Sequence, residues 1–98
     1  MDIRFIKAPS AKAKEILQMR SSLKWPEEGF DAIGLVQGKL IEMIVAADIA
    51  EKCVGVFVSD VRGSCPQNMV MIMIAGETSA VKEALNKIAQ TEGSEYRC

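Results

Sequence analysis

The residues of this 98-residue chain that are best suited to chemistry lie in one short stretch, Arg62-Gly63-Ser64-Cys65. A thiol close to a cation can act as a nucleophile or a metal ligand, because the positive charge favours the thiolate. The chain contains no histidine, however, and histidine is the commonest general base and metal ligand in proteins. Since Cys65 has no base to activate it, we predict no catalytic residue and a protein that is not an enzyme.

Other soft ligands are too dispersed to predict a metal site. The three cysteines stand at positions 53, 65 and 98, without the CxxC spacing of a metal-binding pair. Met69, Met71 and Met73 share one face of a predicted strand and could suit copper, but such a stripe is more typical of adaptable core packing. We therefore expect no metal and no cofactor. The odd cysteine number, with no signal peptide, predicts a reducing cytosol.

The composition excludes several classes of function. Apolar residues make up 49% of the chain and aromatic residues 5%, so aliphatic side chains must build the core. A formal net charge of −1 gives no basic surface for nucleic acid or an anionic membrane, and near-neutral charge favours self-association. The apolar run 69–75 is too short to span a bilayer. The length predicts a single domain over residues 1–98.

Hydrophobic periodicity predicts seven elements in the order β-α-β-α-β-β-α. The predicted strands cover 3–8, 32–37, 54–59 and 69–75, and the predicted helices cover 10–22, 39–52 and 78–90. Residues 1–22 thus form a strand–helix unit, 23–31 a loop, 32–90 the main segment and 91–98 a flexible tail. This order predicts a layered α/β (α+β) domain with a mixed four-stranded sheet and helices packed on it.

The second helix is more apolar than a single small domain requires. Residues 43–47 are five consecutive apolar positions, and at about 100° per residue they cover the full circumference of a helix. One face can pack on the chain's own sheet, so the remainder needs another partner. Ala46, Ala47 and Ala50 are small enough to admit a neighbouring backbone, and we predict that they lie at a subunit interface.

The turn between the third and fourth strands has two interpretations. Gly63 permits a tight turn, and Pro66 keeps the next strand from starting early. In a monomer, Arg62 and Ser64 would then decorate an ordinary hairpin tip. Repeated around a ring, the four residues 62–65 would line a small polar hole, and we predict that Arg62, Gly63, Ser64 and Cys65 are pore-lining residues.

Two segments resemble the bacterial microcompartment (BMC) domain. The stretch AIGLVQGKLIEMIVAADIAEK is similar to its strand–helix opening, with Lys39 and then Ala46-Ala47-Asp48. The stretch MIMIAGETSAVKEAL is similar to its later strand and helix, with Gly76-Glu77 and then Ala80-Val81. The resemblance covers residues 32–90, and residues 62–65 fall where that family has its pore turn. The preceding RFIKAPSAKAKEILQMR resembles the circularly permuted branch, the minor shell proteins of ethanolamine- and propanediol-utilising compartments.

The resemblance implies a structural function. Members of this family form hexamers that tile, with other shell proteins, into the shell of a microcompartment in the bacterial cytoplasm, and the pore turn filters small metabolites. Lys39 matches the lysine at the edge where hexamers meet. Some relatives hold an iron–sulfur cluster at the pore through cysteine, and Cys65 could do so only where several copies converge.

Two other functions remain open on the sequence alone. The element order also suits a ferredoxin-like regulatory module that binds a small molecule between identical subunits. A thiol enzyme that uses Cys65 is the other alternative, and the missing histidine weighs against it.

Overall fold

The structure is a computed structural model, and it describes residues 1–22, 24–25, 30–63 and 69–91. Its order of elements is the predicted one, β-α-β-α-β-β-α. The strands are β1 (Asp2–Lys7), β2 (Ala32–Lys39), β3 (Val56–Val61) and β4 (Met69–Gly76), and the helices are α1 (Ala11–Arg20), α2 (Leu40–Glu51) and α3 (Thr78–Thr91). Among the described residues, no helix combines the length and the apolar character needed to cross a bilayer.

The four strands form one sheet in the order β1-β2-β4-β3. All three pairings are antiparallel, so the predicted mixed sheet is wrong in this respect. The reason is the path of the chain between β1 and β2. Helix α1 leads away from the end of β1, but the chain then returns to the same end, where the Ala8 N–H donates to Asp31 O at 2.8 Å. Lys7 consequently pairs with Ala32, and β2 runs back along β1.

Helices α2 and α3 cover one face of the sheet and enclose the larger core. Alternate residues of the central strands point into it, as the twofold periodicity of a strand requires. The buried members of this core are Ala32, Val36, Met43, Ala46, Ala50, Ile72, Ile74, Val81, Ala84, Leu85 and Ile88. The members from α3 recur at helical spacing, as in an amphipathic helix with one buried side.

Helix α1 lies on the opposite face of the sheet. Leu17 of α1 packs there with Ile33 and Met73, and Trp25 and Phe30 lie partly buried against them. The Trp25 and Phe30 rings meet edge to face with centroids 5.4 Å apart. Met73 is fully buried, which confirms packing as the role of its side chain. Both central strands are thus covered on two sides, as the apolar run of β2 predicts.

Strand β3 begins two residues later than predicted. The chain turns at Gly55, which has a φ of +86°, a conformation that glycine adopts at little cost. Val54, predicted to open the strand, is instead 93% exposed. Gly55 also lies against Gly76 of β4: a Cβ on Gly76 would stand 2.3 Å from the carbonyl oxygen of Gly55. Two glycines therefore allow β3 and β4 to meet at this end of the hairpin.

Candidate pore turn and subunit-facing surface

The structure places the predicted pore turn at one end of the β3–β4 hairpin. The last strand pair is Val61 with Met71. Arg62 and Gly63 follow Val61 directly, and both are exposed. Ser64 and Cys65 lie outside the described residues. The structure thus describes the first two positions of the turn. They lie against the end of α1.

The end of α1 is joined to the end of β3 by a set of hydrogen bonds, which we call the clasp and define as Arg20, Ser22, Asp60 and Arg62. The Arg62 backbone N–H donates to Arg20 O at 2.7 Å. The Arg62 side chain donates from Nε to the same oxygen at 3.3 Å and from Nη2 to Ser21 O at 3.4 Å. In return, Arg20 Nη1 donates to Arg62 O at 3.1 Å. These bonds link residues about forty positions apart in the chain.

The geometry of the clasp follows from the needs of a helix end. The last carbonyl groups of a helix have no partner within it and carry the negative end of its dipole. A guanidinium group has several donors in a planar fork, so Arg62 can satisfy two neighbouring carbonyl oxygens at once. Its side chain is therefore turned back onto α1. Arg62 belongs to the turn by position, but its side-chain donors are used to hold the turn against the helix.

The carboxylate of Asp60 forms the second half of the clasp. It accepts a hydrogen bond from the Ser22 hydroxyl, and the Ser22 backbone N–H lies 3.4 Å from Oδ1. The side-chain hydrogen bond from Ser22 lowers the pKa of Asp60 below its ordinary value, against a smaller opposing effect of burial. Backbone hydrogen bonds and the charge of Arg62 act in the same direction as Ser22. A carboxylate stabilised in this way favours the folded state whenever it is ionised.

Replacing Ser22→Ala should raise the pKa of Asp60, because the largest cause of its depression is removed while burial still pulls it upward. The contribution of Asp60 to stability is present above its unfolded pKa of about 4 and is lost as the pH falls through the lowered folded value. The measurement is an NMR titration of the Asp60 carboxyl carbon. Ser22→Thr keeps the hydroxyl and is the control. An unchanged Asp60 titration in the alanine variant would contradict the clasp.

The structure corrects the predicted subunit interface on α2. Ala46 and Ala50 are 1% and 0% exposed, and both belong to the chain's own core. They have no surface left to offer a neighbour, so the prediction that they lie at an interface is wrong. Ala47 is half-buried at the margin of that core. The physical reason is that small residues are needed where α2 crosses its own sheet, which brings the backbones close together.

The apolar surface that α2 leaves open lies on its other side. The exposed members are Leu40 at 50%, Ile41 at 73%, Ile44 at 62% and Val45 at 42%. We call these four residues the α2 stripe. They fall within one arc of the helix, opposite the buried face of Met43, Ala46 and Ala50. Large apolar side chains clustered on one surface are typical of an interaction site. The excess of apolar residues predicted for this helix is thus confirmed, with different residues exposed.

Lys39 occupies the junction between β2 and α2. It is exposed and serves as the N-cap residue of α2, where its backbone N–H donates to Glu42 Oε1 at 2.9 Å. That bond is one half of a capping box, which satisfies a free donor at the helix start. The junction places Lys39 next to Leu40, at one end of the α2 stripe.

A groove of about 650 Å³ adjoins the α2 stripe between α2 and α3. Ile44 and Val45 form part of its wall, and Asp48, Lys52 and Lys87 bring charge to its rim. Asp48 and Lys52 pair at 2.9 Å, one turn apart on the helix.

Cys53 lies half-buried at the end of α2, where its Sγ donates to Ile49 O at 3.3 Å. The described part of the chain brings together no group of three or more His, Cys, Asp or Glu side chains that could hold a metal ion.

The clasp is the part of the site that the sequence does not reveal. Arg20 and Ser22 stand in a predicted helix end, and Asp60 lies directly after the strand predicted over 54–59, so each looks like an ordinary surface residue. One weak signal exists: Ser22 and Arg62 both border segments rich in turn-forming residues. It cannot show that those segments meet, since the hydrogen bonds span 38 to 42 positions.

Comparison with known proteins places this chain in one family. The BMC domain profile matches residues 32–96, which is most of the chain and begins at β2. No curated protein sequence matches this chain significantly. The strand–helix unit β1–α1 precedes the matched region.

Two of these structures are ligand-free GrpU microcompartment shell proteins. That from Clostridiales bacterium 1_7_47FAA is 42% identical, with 95% of each chain covered and a TM-score of 0.73. That from Pectobacterium wasabiae is 29% identical, with 90% of this chain and 99% of that chain covered and a TM-score of 0.70. The fused permuted hexameric shell protein MSM0275 of the RMM microcompartment is 18% identical and shares the fold, with a TM-score of 0.72 over 96% of this chain and 46% of that chain. The chain therefore belongs to the BMC domain family, the family of bacterial microcompartment shell proteins.

Proposed function

We propose that this protein is a subunit of a microcompartment shell in the bacterial cytoplasm and that it assembles into a ring of six copies around a central opening. Its task in this proposal is structural, and it catalyses no reaction. The GrpU proteins that it resembles are shell proteins, and a more distant relative of the same fold is described as hexameric. Other shell proteins would be its partners in the wall.

The observation that carries the proposal is the α2 stripe. Four large apolar side chains are between 42% and 73% exposed on one side of a helix whose other side is already packed. Burying such side chains contributes roughly 1.5–3 kcal/mol each at full burial. A neighbouring copy is a suitable cover, because a cyclic arrangement places the same stripe against the next subunit all around the ring.

Within this ring, the remaining predicted residues keep their proposed places. Arg62, Gly63, Ser64 and Cys65 belong to the turn that surrounds the opening. Lys39 contributes to the outer edge, where rings meet in a sheet. Ala47, at the margin of the core, lies beside the surface that a neighbouring subunit would cover.

The test is the mass of the purified full chain in solution, by size-exclusion chromatography with light scattering. We expect a discrete species of six times the 10.7 kDa subunit. A subunit that stays monomeric at high concentration would refute the ring. A stable dimer or trimer that gains thermal stability with a small metabolite would instead favour the regulatory-module alternative.

A further inference from the structure

Two guanidinium groups from distant parts of the chain meet at the start of the turn, and they have different surroundings. The Arg62 side chain is turned onto the carbonyl oxygens of Arg20 and Ser21. Within the described residues, the Arg20 guanidinium makes a single hydrogen bond, from Nη1 to Arg62 O at 3.1 Å. Arg20 is exposed. An arginine side chain has five N–H donors, so Arg20 has donors that no hydrogen bond to the described residues uses.

Arg20 lies against the first two residues of the turn. Its Nη1 touches the Arg62 carbonyl oxygen, and it is also the atom nearest to a Cβ built on Gly63, at 3.7 Å. The hydrogen bond to Arg62 O therefore holds the Arg20 charge beside the turn. A surface arginine without such a bond would move freely. Wherever residues 62 and 63 lie in an assembled ring, the guanidinium of Arg20 lies beside them.

We infer that Arg20, supplied by the N-terminal unit, is a specificity-determining residue of the opening and selects small anions. This inference rests on the proposed ring. Each copy brings the two guanidinium groups and the one carboxylate of the clasp to the same place, an excess of one positive charge. A cyclic assembly repeats that excess around the axis, and a narrow entrance lined by charge of one sign concentrates ions of the opposite sign. Small carboxylates and phosphates are the class of metabolite that such an entrance would favour.

The experiment measures binding of inorganic phosphate to the assembled protein by calorimetry, at low ionic strength, after the mass of the ring has been confirmed. Arg20→Gln should weaken phosphate binding about ten-fold, the effect of losing one charge-assisted contact. Arg20→Lys keeps the charge and should retain most of the affinity. Arg4→Gln removes an exposed arginine from the far edge strand, β1, and should have no effect. Added salt should weaken binding in the parent protein.

The outcomes separate this inference from the proposed function. An intact ring that binds phosphate, with the loss confined to Arg20→Gln, supports it. An intact ring that binds no phosphate, or binds it equally well in Arg20→Gln, overturns the inference and leaves the shell function standing. Equal loss in Arg20→Gln and Arg20→Lys would assign Arg20 a purely structural role and also overturn it. Absence of a ring overturns both.

Discussion

Substituting Ile44→Lys should convert the proposed ring into free subunits while leaving the fold of each subunit intact. Ile44 lies in the middle of the α2 stripe and is 62% exposed in the single chain. In the ring, the substitution would remove the buried apolar surface of isoleucine and bring an unpaired charge into the interface. The free energy of each subunit contact would become less favourable by about 1.5–3 kcal/mol. That cost corresponds to a roughly ten- to hundred-fold weaker contact, and it is repeated at every contact of a closed ring.

The helix itself should tolerate this change. Lysine has a higher helix propensity than isoleucine, and Asp48 lies one turn away from position 44 on the same helix. Far-ultraviolet circular dichroism should therefore match that of the parent protein, while light scattering should report a lower mass. The matched control is Met19→Lys on α1, where Met19 is 72% exposed on the opposite side of the sheet. If both variants remain rings, the α2 stripe is not the interface.

Substituting Gly76→Ala should destabilise the subunit by about 2–4 kcal/mol, a large fraction of the stability of a small domain. A Cβ at this position would lie 2.3 Å from Gly55 O and 3.3 Å from the Cα of Val56. Both atoms belong to the backbone, so the clash can be relieved only by moving the start of β3. The backbone there follows a turn that depends on the positive φ of Gly55. Urea unfolding at fixed protein concentration measures the loss, since assembly makes the midpoint concentration-dependent.

Gly38→Ala is the matched control for this prediction. The change is the same, and a Cβ on Gly38 also has close neighbours, with Glu42 Oε1 at 2.7 Å and Met43 Cε at 3.1 Å. Both are the ends of flexible side chains that can move aside, so we expect a loss of less than about 1 kcal/mol, mainly from the weakened capping box. Equal destabilisation of the two variants would show that the approach of β3 to β4 does not limit position 76.

The order of the seven elements could be predicted from the sequence because it depends on local periodicity. Strand β4 is a continuous apolar run and helix α3 has a clean helical pattern, and the structure confirms both elements. The start of β3 could not be predicted in the same way, since Val54 suits a strand by type and only the positive φ of Gly55 keeps it out. The antiparallel direction of β2 relative to β1 could not be predicted either. It depends on the end of β1 to which the chain returns after α1, and the composition of that connection does not reveal this end.

The apolar excess of α2 was visible in the sequence, but its division between core and surface was not. Five consecutive apolar residues cover every side of a helix, so composition alone cannot say which side meets the sheet. The alanines suit either a close internal crossing or a close neighbour, and the structure assigns Ala46 and Ala50 to the first. The clasp is still harder to foresee. Arg20 and Arg62 are joined only by the folded chain, and a single sequence holds no sign of pairing between them.

The clasp has a consequence for engineering. The backbone of the hairpin at Arg62 is bonded to the last turn of α1, so the point at which the turn begins depends on a helix some forty residues earlier in the chain. A designer who transplants only the loop from a related protein would leave behind the segment to which the first residue of the loop is bonded. The transferable module is therefore discontinuous, with the end of α1 grafted together with the hairpin that it supports.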